Sequence, residues 1–382
     1  MKNSSAAWVV ETKIHDATAD MRYMAGALAL AERGLGAVWP NPAVGCVLVR
    51  AGRVVGRGWT QPGGRPHAES EALTRAGAAA EGATAYVTLE PCCHHGKTPP
   101  CTDALIEARV ARVVVAMSDP DPRVSGHGIK CLEAAGVEVA VGPGSDLAAR
   151  LNAGFLKRIA LGRPMVTLKQ ATSLDGRIAT GSGESRWITG DLSRAHSHLL
   201  RARHDAILVG SGTALADDPA LTCRLPGLEG RSPVRIVVDG RLRLPPSHQL
   251  VTGARDVQTW IITVAGVDAA RRESYRAAGV EVIAVVPDSD GHPDALAMLK
   301  ILGERGITRL LVEGGAHVAA ALLGARLVDR LICFRAPSII GGDGAPAAES
   351  FALDRLADAP AFVRQMVSEL GGDLVETFDS KP

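Results

Sequence analysis

Five residues in the first third of the chain have the types and spacing of a hydrolytic metal site. His67 and Glu69 stand at the start of a predicted helix, and the pair Pro91-Cys92 and then Cys101 follow. Three protein ligands leave a fourth position of a zinc ion for water, and the metal lowers the pKa of that water to about 7. A carboxylate that does not bind the metal can then move protons, and Glu69 is the candidate for that role.

The cysteine spacing leaves the third ligand open. His-x-Glu followed by Pro-Cys-x-x-Cys is the pattern of zinc nucleobase deaminases. Here eight residues separate Cys92 from Cys101, and His95 stands at the usual second-cysteine position. The candidates for the third ligand are therefore Cys101, His95, His94 and Cys93. A closed structural zinc site is the alternative, but it needs neither Glu69 nor Pro91, so the residues favour a catalytic site.

A weaker signal lies in the last third of the chain. The segment Val312-Glu313-Gly314-Gly315-Ala316 ends a predicted strand and opens a helix, which leaves backbone N–H groups free to face an anion. Gly-Gly at such a turn can equally be tight geometry. The second half contains no Gly-x-Gly-x-x-Gly after a strand, so an ordinary dinucleotide fold is not indicated.

Length and composition suggest what carries these residues. A chain of 382 residues favours two or more cores. Its 42 Lys and Arg balance 41 Asp and Glu, and 46% of its residues are hydrophobic, which excludes a disordered chain. The absence of a basic surplus argues weakly against nucleic-acid or membrane-surface partners. Aromatic residues make up 3%, so the strands must be rich in Val, Ile, Leu and Ala. Seven cysteines without an export signal favour a metal or catalytic role in a cytoplasmic protein.

The hydrophobic pattern divides the chain into two α/β domains. We expect a flexible extension over 1–15, a three-layer domain over 16–145, a connecting helix within 146–164 and a second domain over 165–382. The first domain contains a hairpin (44–59), then alternating helices and strands. The second repeats that alternation, with strands near 165–170, 205–210, 234–239, 260–263, 280–286, 308–313 and 330–334.

The first 145 residues resemble the deaminase half of the bifunctional deaminase/reductase family of riboflavin biosynthesis. The resemblance rests on Pro40-Asn41-Pro42, His67-Ala68-Glu69 and TLEPCCHHGKTPPC, whose long cysteine spacing belongs to that family. It implies a cytidine-deaminase-like domain in which His67, Cys92 and Cys101 bind zinc and Glu69 shuttles protons. It also implies that Asn41 contacts the pyrimidine of the substrate, while the ribose phosphate is held by His94, His95 and Lys97.

Two residues depart from the family pattern. Trp39 stands where the family often has His, and Asp121 replaces the usual Asn of an Asp-Pro-Asn-Pro segment. An added carboxylate would repel a phosphorylated sugar, so the sugar contacts of that loop come into question. Neither residue brings the zinc chemistry into question.

The second half resembles the reductase of the same family, which has a dihydrofolate-reductase-like fold. The matching segments are LKQATSLDGRIAT, GESRWITG, LLRARHDAILVGSGTALADDPALTCR and VEGG. The resemblance implies an NADPH site along Ala171, Trp187, Thr213, Asp217 and Gly315. It implies that substrate is contacted by Lys169, Ser185, Arg201, Arg224 and Glu313, with the two arginines suited to its phosphate.

Together the two resemblances imply one bifunctional enzyme. Zinc-dependent hydrolysis would remove the ring amino group of 2,5-diamino-6-ribosylamino-4(3H)-pyrimidinone 5′-phosphate, and NADPH would then reduce the ribosyl group to ribityl. A homo-oligomer with a small-molecule substrate, and with no nucleic-acid or membrane partner, is expected. The alternatives are a cytosine or adenosine deaminase with an accessory nucleotide-binding domain, and a zinc-stabilised binding module without turnover.

Overall fold

A computed structural model describes residues 17–96 and 99–381, which fold into two compact units. The first unit comprises 17–33, 44–60 and 66–151 of the described residues, and the second comprises 34–43, 61–65 and 152–381. The expected extension over 1–15 lies outside the described residues. The short segments 34–43 and 61–65 thus group with the second unit, although the sequence pattern assigned them to the first domain; the domain ranges themselves remain a prediction.

The first unit is built on a five-stranded sheet in the order β2-β1-β3-β4-β5. Its elements are α1 (Ala17–Ala31), β1 (Gly45–Arg50), β2 (Arg53–Trp59), α2 (Ala68–Ala76), β3 (Thr84–Val87), α3 (Cys101–Glu107), β4 (Arg112–Val115), α4 (His127–Ala134), β5 (Glu138–Val141) and α5 (Ser145–Leu151). The hairpin β1–β2 is antiparallel, whereas β3, β4 and β5 run parallel, so their carboxyl ends share one edge.

Small residues allow the helices to lie close to this sheet. A Cβ atom at Gly45 would fall 1.9 Å from the Ala27 carbonyl oxygen of α1, and one at Gly58 would fall 2.1 Å from the Ala68 oxygen of α2. The chain therefore needs glycine on β1 and β2. This close packing fixes the amino end of α2, where the candidate metal ligand His67 and the carboxylate Glu69 stand.

The second unit contains a nine-stranded sheet in the order β11-β10-β9-β8-β12-β6-β13-β16-β15. Its strands are β6 (Met165–Thr172), β7 (Arg177–Ala179), β8 (Ala206–Gly210), β9 (Val234–Val238), β10 (Thr259–Val264), β11 (Glu281–Val285), β12 (Arg309–Val312), β13 (Arg330–Arg335), β14 (Ala345–Pro346), β15 (Phe362–Leu370) and β16 (Asp373–Ser380). All pairings from β11 to β13 are parallel, and β16 and β15 add an antiparallel edge. The short strands β7 and β14 pair separately.

The helices of the second unit follow the expected alternation. They are α6 (Ala153–Leu161), α7 (Asp191–Ala202), α8 (Ser211–Asp217), α9 (Gln249–Thr252), α10 (Ala269–Ala277), α11 (Ala295–Glu304) and α12 (Ala316–Gly324). Within β8, Leu208 enters one apolar cluster while its neighbours Ile207 and Val209 enter the other. The central strands are thus buried on both faces, as expected for a parallel sheet. No helix among the described residues is long and apolar enough to cross a bilayer.

The predicted length of one helix is wrong. The periodicity predicts a single helix over 146–160, but the structure has α5 and α6, separated at Asn152. The Asn152 side chain accepts a hydrogen bond from the Ala43 N–H at 2.9 Å and donates to the Ala43 oxygen at 3.0 Å. An asparagine that bonds backbone in this way competes with helix propagation.

A buried histidine makes the stability of the second unit depend on pH. Burial lowers the pKa of His204 from 6.5 to about 3, and its ring contacts the Leu200 oxygen at 2.7 Å and Thr167 Oγ1 at 3.0 Å. The unfolded chain binds this proton as the pH falls through 6.5, whereas the folded chain does not until about pH 3. The stability contributed above pH 6.5 is therefore lost as the pH falls.

We expect this loss to be about 1 kcal/mol between pH 6 and pH 5. The measurement is urea unfolding at both pH values for the parent chain and for His204→Asn, which keeps a donor for the Leu200 oxygen but does not titrate. The variant should lose less stability than the parent on acidification. If both proteins lost the same unfolding free energy on acidification, the pH dependence could not be assigned to His204.

Candidate metal centre and ligand cavity

The first unit brings together one histidine and two cysteines. A donor atom from each of His67, Cys92 and Cys101 lies within 4.8 Å of the others, and this is the one such group among the described residues. His67 Nδ1 lies 3.3 Å from Cys101 Sγ and 3.6 Å from Cys92 Sγ. Two sulfurs and one ring nitrogen are a donor set that zinc prefers, and a three-residue set leaves a coordination position open.

Three elements hold these donors in place. His67 immediately precedes α2, Cys92 follows β3, and Cys101 opens α3. The Thr102 N–H donates to the Cys92 oxygen at 3.2 Å, and the Cys101 N–H donates to Cys92 Sγ at 3.4 Å. The loop after β3 is therefore tied to the first turn of α3, which keeps the two sulfurs adjacent despite the eight residues between them.

The two thiols share a hydrogen bond that separates their titrations. This bond to Cys101 lowers the pKa of Cys92 to about 4, while the same bond and burial raise the pKa of Cys101 well above its usual range. The lowered pKa of Cys92 favours its thiolate form. A thiolate is the form of cysteine that binds metal.

Glu69 lies beside these donors with a side chain that is almost wholly buried. The residue is 3% exposed, and burial, followed by the charge of Cys92, raises its pKa to about 7. His67 opposes that shift without cancelling it. A carboxyl with a pKa near neutrality can both accept and donate a proton at the pH of the cell, which suits a general acid and base.

The other candidates for the third ligand lie outside this donor group. Cys93 and His94 are partly buried and His95 is exposed. His94 Nδ1 is buried and has no hydrogen-bond partner among the described residues. Lys97, which the resemblance places at the ribose phosphate, lies outside the described residues. A fourth protein ligand, which a closed structural site would need, is therefore not part of the described donor group.

The sequence analysis missed a carboxylate that organises the loops around the metal centre. Glu90 is buried and accepts hydrogen bonds from four backbone N–H groups at 2.9–3.2 Å, those of Asp119, Gly126, Gly128 and Ile129. A Cβ atom at Gly128 would fall 2.1 Å from the Pro91 oxygen. One feature of the sequence could have revealed Glu90: it is an acidic residue next to Pro91-Cys92, just after a buried strand. An unpaired charge there is costly, so the carboxylate must have partners.

The departure at Asp121 is balanced by a neighbouring arginine. Arg123 Nε lies 2.9 and 3.1 Å from the two oxygens of Asp121, and the Arg123 N–H donates to the same carboxylate at 3.0 Å. These bonds to Arg123 lower the pKa of Asp121, with a smaller contribution from the charge of His94. The carboxylate is therefore ionised and paired, so it does not present an isolated negative charge.

Trp39 and Asn41 belong to the segment that groups with the second unit. Trp39 packs against the apolar cluster around Leu310, and a Cβ atom at Gly306 would fall 3.5 Å from its ring. Asn41 Nδ2 donates to the Gly64 oxygen at 3.1 Å. Trp39 therefore occupies a packing position. The contact of Asn41 with a pyrimidine stays a prediction.

A cavity of about 1070 Å³ opens at the carboxyl ends of the parallel strands in the second unit. The strand order reverses here, because β12 lies between β6 and β8. Ligands of open α/β sheets bind at such a switch point. All ten residues of the second half that the resemblance places at ligands line the cavity: Lys169, Ala171, Ser185, Trp187, Arg201, Thr213, Asp217, Arg224, Glu313 and Gly315.

The wall of the cavity contains a buried ion pair with a third charge beside it. Arg201 Nε and Nη2 each lie 2.8 Å from an oxygen of Glu313. Burial alone would raise the pKa of Glu313, but Arg201 and then Lys169 outweigh it and hold the pKa below its usual value. Burial lowers the pKa of Lys169, whose Nζ lies 5.4 Å from the centre of the Phe334 ring.

Backbone and side chains from two strand ends shape another part of the wall. Gly314 and Gly315 have φ of 144° and 87°, and a Cβ atom at Gly314 would lie 3.3 Å from the Thr213 side chain. Both glycines are required by conformation, and they open a path to the amino end of α12. Trp187 is 68% exposed with the guanidinium of Arg194 4.6 Å from its ring centre, so a flat face remains accessible to a ligand.

Comparisons with known proteins cover both units. Residues 17–117 match the family described as cytidine and deoxycytidylate deaminase zinc-binding region, and residues 164–362 match the RibD C-terminal domain. The chain is 45% identical to riboflavin biosynthesis protein RibD of Escherichia coli over 93% of this chain and 98% of that protein. It is 41% identical to the protein of the same name from Haemophilus influenzae, over 95% of this chain and 98% of that protein.

Solved structures show the same architecture. Acinetobacter baumannii RibD, form 1, is 37% identical with a TM-score of 0.86, and the match covers 96% of this chain and all of the other. A Thermotoga maritima protein is described as a diaminohydroxyphosphoribosylaminopyrimidine deaminase and 5-amino-6-(5-phosphoribosylamino)uracil reductase. It is 34% identical with a TM-score of 0.84, over 96% of this chain and all of that one.

Proposed function

Because this chain belongs to the RibD family of riboflavin biosynthesis, we propose that the metal centre of its first unit and the cavity of its second unit are the two active sites. The chain is a bifunctional enzyme, a zinc-dependent deaminase and a reductase of the type that uses NADPH. It deaminates 2,5-diamino-6-ribosylamino-4(3H)-pyrimidinone 5′-phosphate and reduces the ribosyl group of the product to ribityl. We propose a role for individual residues in each of the two reactions.

The donor set His67, Cys92 and Cys101 carries the proposal for the first reaction, because these three donor atoms lie within 4.8 Å of one another. Zinc held by these three residues would supply an acidified water as the nucleophile. Glu69 takes a proton from that water and delivers it to the ring amino group, which leaves as ammonia while the carbon gains oxygen. Burial, followed by the charge of Cys92, raises the pKa of Glu69, which favours a carboxyl that can hold the proton between the two transfers.

In the second reaction the buried charges orient the sugar. We place the phosphate of the substrate at Arg224, which lines the cavity, with Arg201 held beside it by Glu313. Lys169 lies close enough to interact with both members of that pair, so it contacts the ribosyl group in our proposal. NADPH bound in the cavity would supply a hydride to the anomeric carbon; the bond from that carbon to the ring oxygen breaks, and the oxygen takes a proton from solvent, which leaves the open ribityl chain. Ala171, Trp187, Thr213, Asp217 and Gly315 contact the cofactor.

Chelation of zinc tests the assignment of the two sites. Metal-depleted enzyme should release no ammonia from the undeaminated substrate and consume no NADPH with it, because the second reaction then has no substrate. The same enzyme should still consume NADPH with the deaminated uracil compound, and zinc should restore ammonia release. Ammonia release that survives full depletion would remove the metal centre from the mechanism. NADPH consumption can be followed by absorbance on the same samples.

The Asp121–Arg123 pair gives a second prediction. In Arg123→Gln, the Asp121 carboxylate loses its partner and repels the substrate phosphate that the neighbouring His94 is proposed to hold. We expect KM for the deaminase to rise about tenfold with little change in kcat. The double variant Asp121→Asn/Arg123→Gln removes both charges and should return KM close to the parent value. A double variant as impaired as the single one would contradict this account.

We also propose a homo-oligomer in the cytoplasm. The outer strand β15 ends the nine-stranded sheet and exposes Val363, Met366 and Val367. An exposed edge of this kind pairs readily with a second chain. The described cysteines are all free, as is usual in a reducing compartment. Sedimentation velocity of the full chain would contradict the oligomer if it gave only the monomer mass.

A further inference from the structure

One histidine in the wall of the second unit's cavity has no role in the proposed reductase chemistry. His198 lies on α7, one helical turn before Arg201, and lines the cavity. Its side chain is partly buried, as expected of a residue between a helix and a ligand site. The contacts of its two ring nitrogens distinguish a packing residue from one that meets a ligand.

His198 helps to hold the segment 222–224 against α7. The Arg224 N–H donates to His198 Nδ1 at 3.2 Å, and Cys223 Sγ donates to the His198 backbone oxygen at 3.4 Å. Arg201 Nη1 donates to the Thr222 oxygen at 3.0 Å. Three consecutive residues are thus tied to one helix, and the exposed Arg224 side chain starts from this anchored segment at the cavity wall.

These contacts determine which ring nitrogen of His198 carries the proton. Nδ1 also lies 3.1 Å from the Thr222 oxygen, which would need a donor, whereas the Arg224 N–H needs an acceptor. The Thr222 oxygen already accepts from Arg201, but the Arg224 N–H has no other acceptor among the described residues. A proton on Nδ1 would leave that N–H unpaired and facing a second N–H. Nδ1 therefore accepts, and the neutral ring carries its proton on Nε2.

The surroundings of the ring keep it neutral. Burial, followed by the charges of Arg201 and Arg224, lowers the pKa of His198, and Glu313 opposes that shift without cancelling it. A neutral imidazole has a single N–H, which the contacts of Nδ1 assign to Nε2.

The Nε2–H of His198 is available to a ligand. Within the part of the chain that the structure describes, Nε2 makes no hydrogen bond to protein, and it is not buried, so water or a ligand reaches it. The ring lines the cavity between the two arginines whose charges act on it, Arg201 and Arg224. A donor placed beside two guanidinium groups favours an anion that accepts several hydrogen bonds at once, such as a phosphate.

We propose that His198 donates its Nε2–H to the 5′-phosphate of the reductase substrate, while its Nδ1 holds Arg224 in position for the same phosphate. The inference rests on the proposed placement of that phosphate at Arg224. A phosphate monoester has three terminal oxygens, so a ring N–H and the arginine forks can bind it together. His198 thereby contributes to the selection of a phosphorylated substrate over the same compound without its phosphate.

Two substrates and two variants test this on the full chain. NADPH consumption is measured with the deaminated substrate and with the same compound lacking the 5′-phosphate. In His198→Asn the amide oxygen takes the place of Nδ1 and accepts the Arg224 N–H, but no atom reaches the position of Nε2. We expect KM for the phosphorylated compound to rise about 20-fold, with little change in kcat or in KM for the other compound. His198→Gln places an amide N–H near the position of Nε2, so its rise should be only about threefold.

A histidine of the same helix is the matched control. His196 packs against Phe334 and does not line the cavity, so His196→Asn should leave the ratio of the two KM values at that of the parent. A parent-like KM for the phosphorylated compound in His198→Asn would overturn the proposal. An equal rise for both compounds, or a His198→Gln variant as impaired as His198→Asn, would also overturn it, because the loss would then come from general damage to the cavity.

Arg224→Ala tests the proposed phosphate site separately. Its KM for the phosphorylated compound should rise about 100-fold, because charged hydrogen bonds to the phosphate are lost. If Arg224→Ala keeps the parent ratio of the two KM values, the placement of the phosphate fails and the inference fails with it. If Arg224→Ala behaves as expected and His198→Asn resembles the parent, the role of His198 alone fails and the phosphate site stands.

Discussion

Glu69→Gln is expected to lower the rate of ammonia release by about 10²- to 10⁴-fold. The amide has the shape of the carboxyl but cannot accept a proton from water or deliver one to the leaving amino group. Because Glu69 is not among the three metal donors, the variant should retain its zinc, which metal analysis of the purified protein would show. The reductase step should also be preserved when the deaminated compound is supplied directly.

A second glutamate of the same helix provides the matched control. Glu71 lies two residues further along α2 and pairs with Arg75 at 2.8 Å on the surface. Glu71→Gln loses only that exposed ion pair, which contributes at most about 1 kcal/mol to stability, and should release ammonia at the parent rate. Glu69→Gln with full zinc content and ammonia release within a few-fold of the parent would remove Glu69 from the chemistry.

Glu313→Ala should give the largest loss of stability, together with loss of the reductase. The substitution leaves Arg201 and Lys169 in the wall of the cavity without their shared counter-ion. Removal of one member of a buried ion pair costs about 3–5 kcal/mol in unfolding free energy. Urea unfolding measures that loss, and NADPH consumption with the deaminated substrate measures the reductase. Ammonia release depends on the first unit and should be retained at low urea.

Two further variants separate the contribution of charge from that of burial. Asp379→Ala breaks the partly exposed pair between Arg330 and Asp379, whose side chains are 21% and 32% exposed, and should cost about 1 kcal/mol. The double variant Arg201→Met/Glu313→Leu replaces the buried pair by apolar side chains and should recover much of the lost stability without recovering the reductase. If Glu313→Ala costs no more than Asp379→Ala, the pair is hydrated from the cavity and the argument from burial fails.

The metal centre was largely predictable from local sequence, because its chemistry demands particular residues at particular spacings. His67, Glu69 and Cys92 follow from the motif alone. The choice between Cys101 and its competitors does not, because a loop of eight residues can close in several ways. The hydrogen bonds from the first turn of α3 to Cys92 bring Cys101 into the donor group. Glu90 was missed because its partners are backbone groups up to 39 residues away.

The second domain was predictable where strands are buried on both faces. Continuous runs of Val, Ile and Leu gave β8 to β12 to within a few residues, and relatives and solved structures confirm the fold class. The hairpin β15–β16 was not predicted. The side chains of β15 are mostly exposed, so the strand carries polar residues and lacks the hydrophobic signal that reveals a core strand. Residues 362–370 therefore form a strand because they pair with β16, and not because of their own composition.

The position of β12 in the sheet has a consequence for synthesis of the chain. β12 lies between β6 and β8 in the sheet, but its first residue comes 137 positions after the last residue of β6 and 99 after the last residue of β8. Until the ribosome has made residues 309–312, β6 and β8 each have an unpaired edge that is open to other nascent chains. We therefore expect translation stops upstream of β12 to yield aggregating products, and helper proteins that shield strand edges to matter most over this interval.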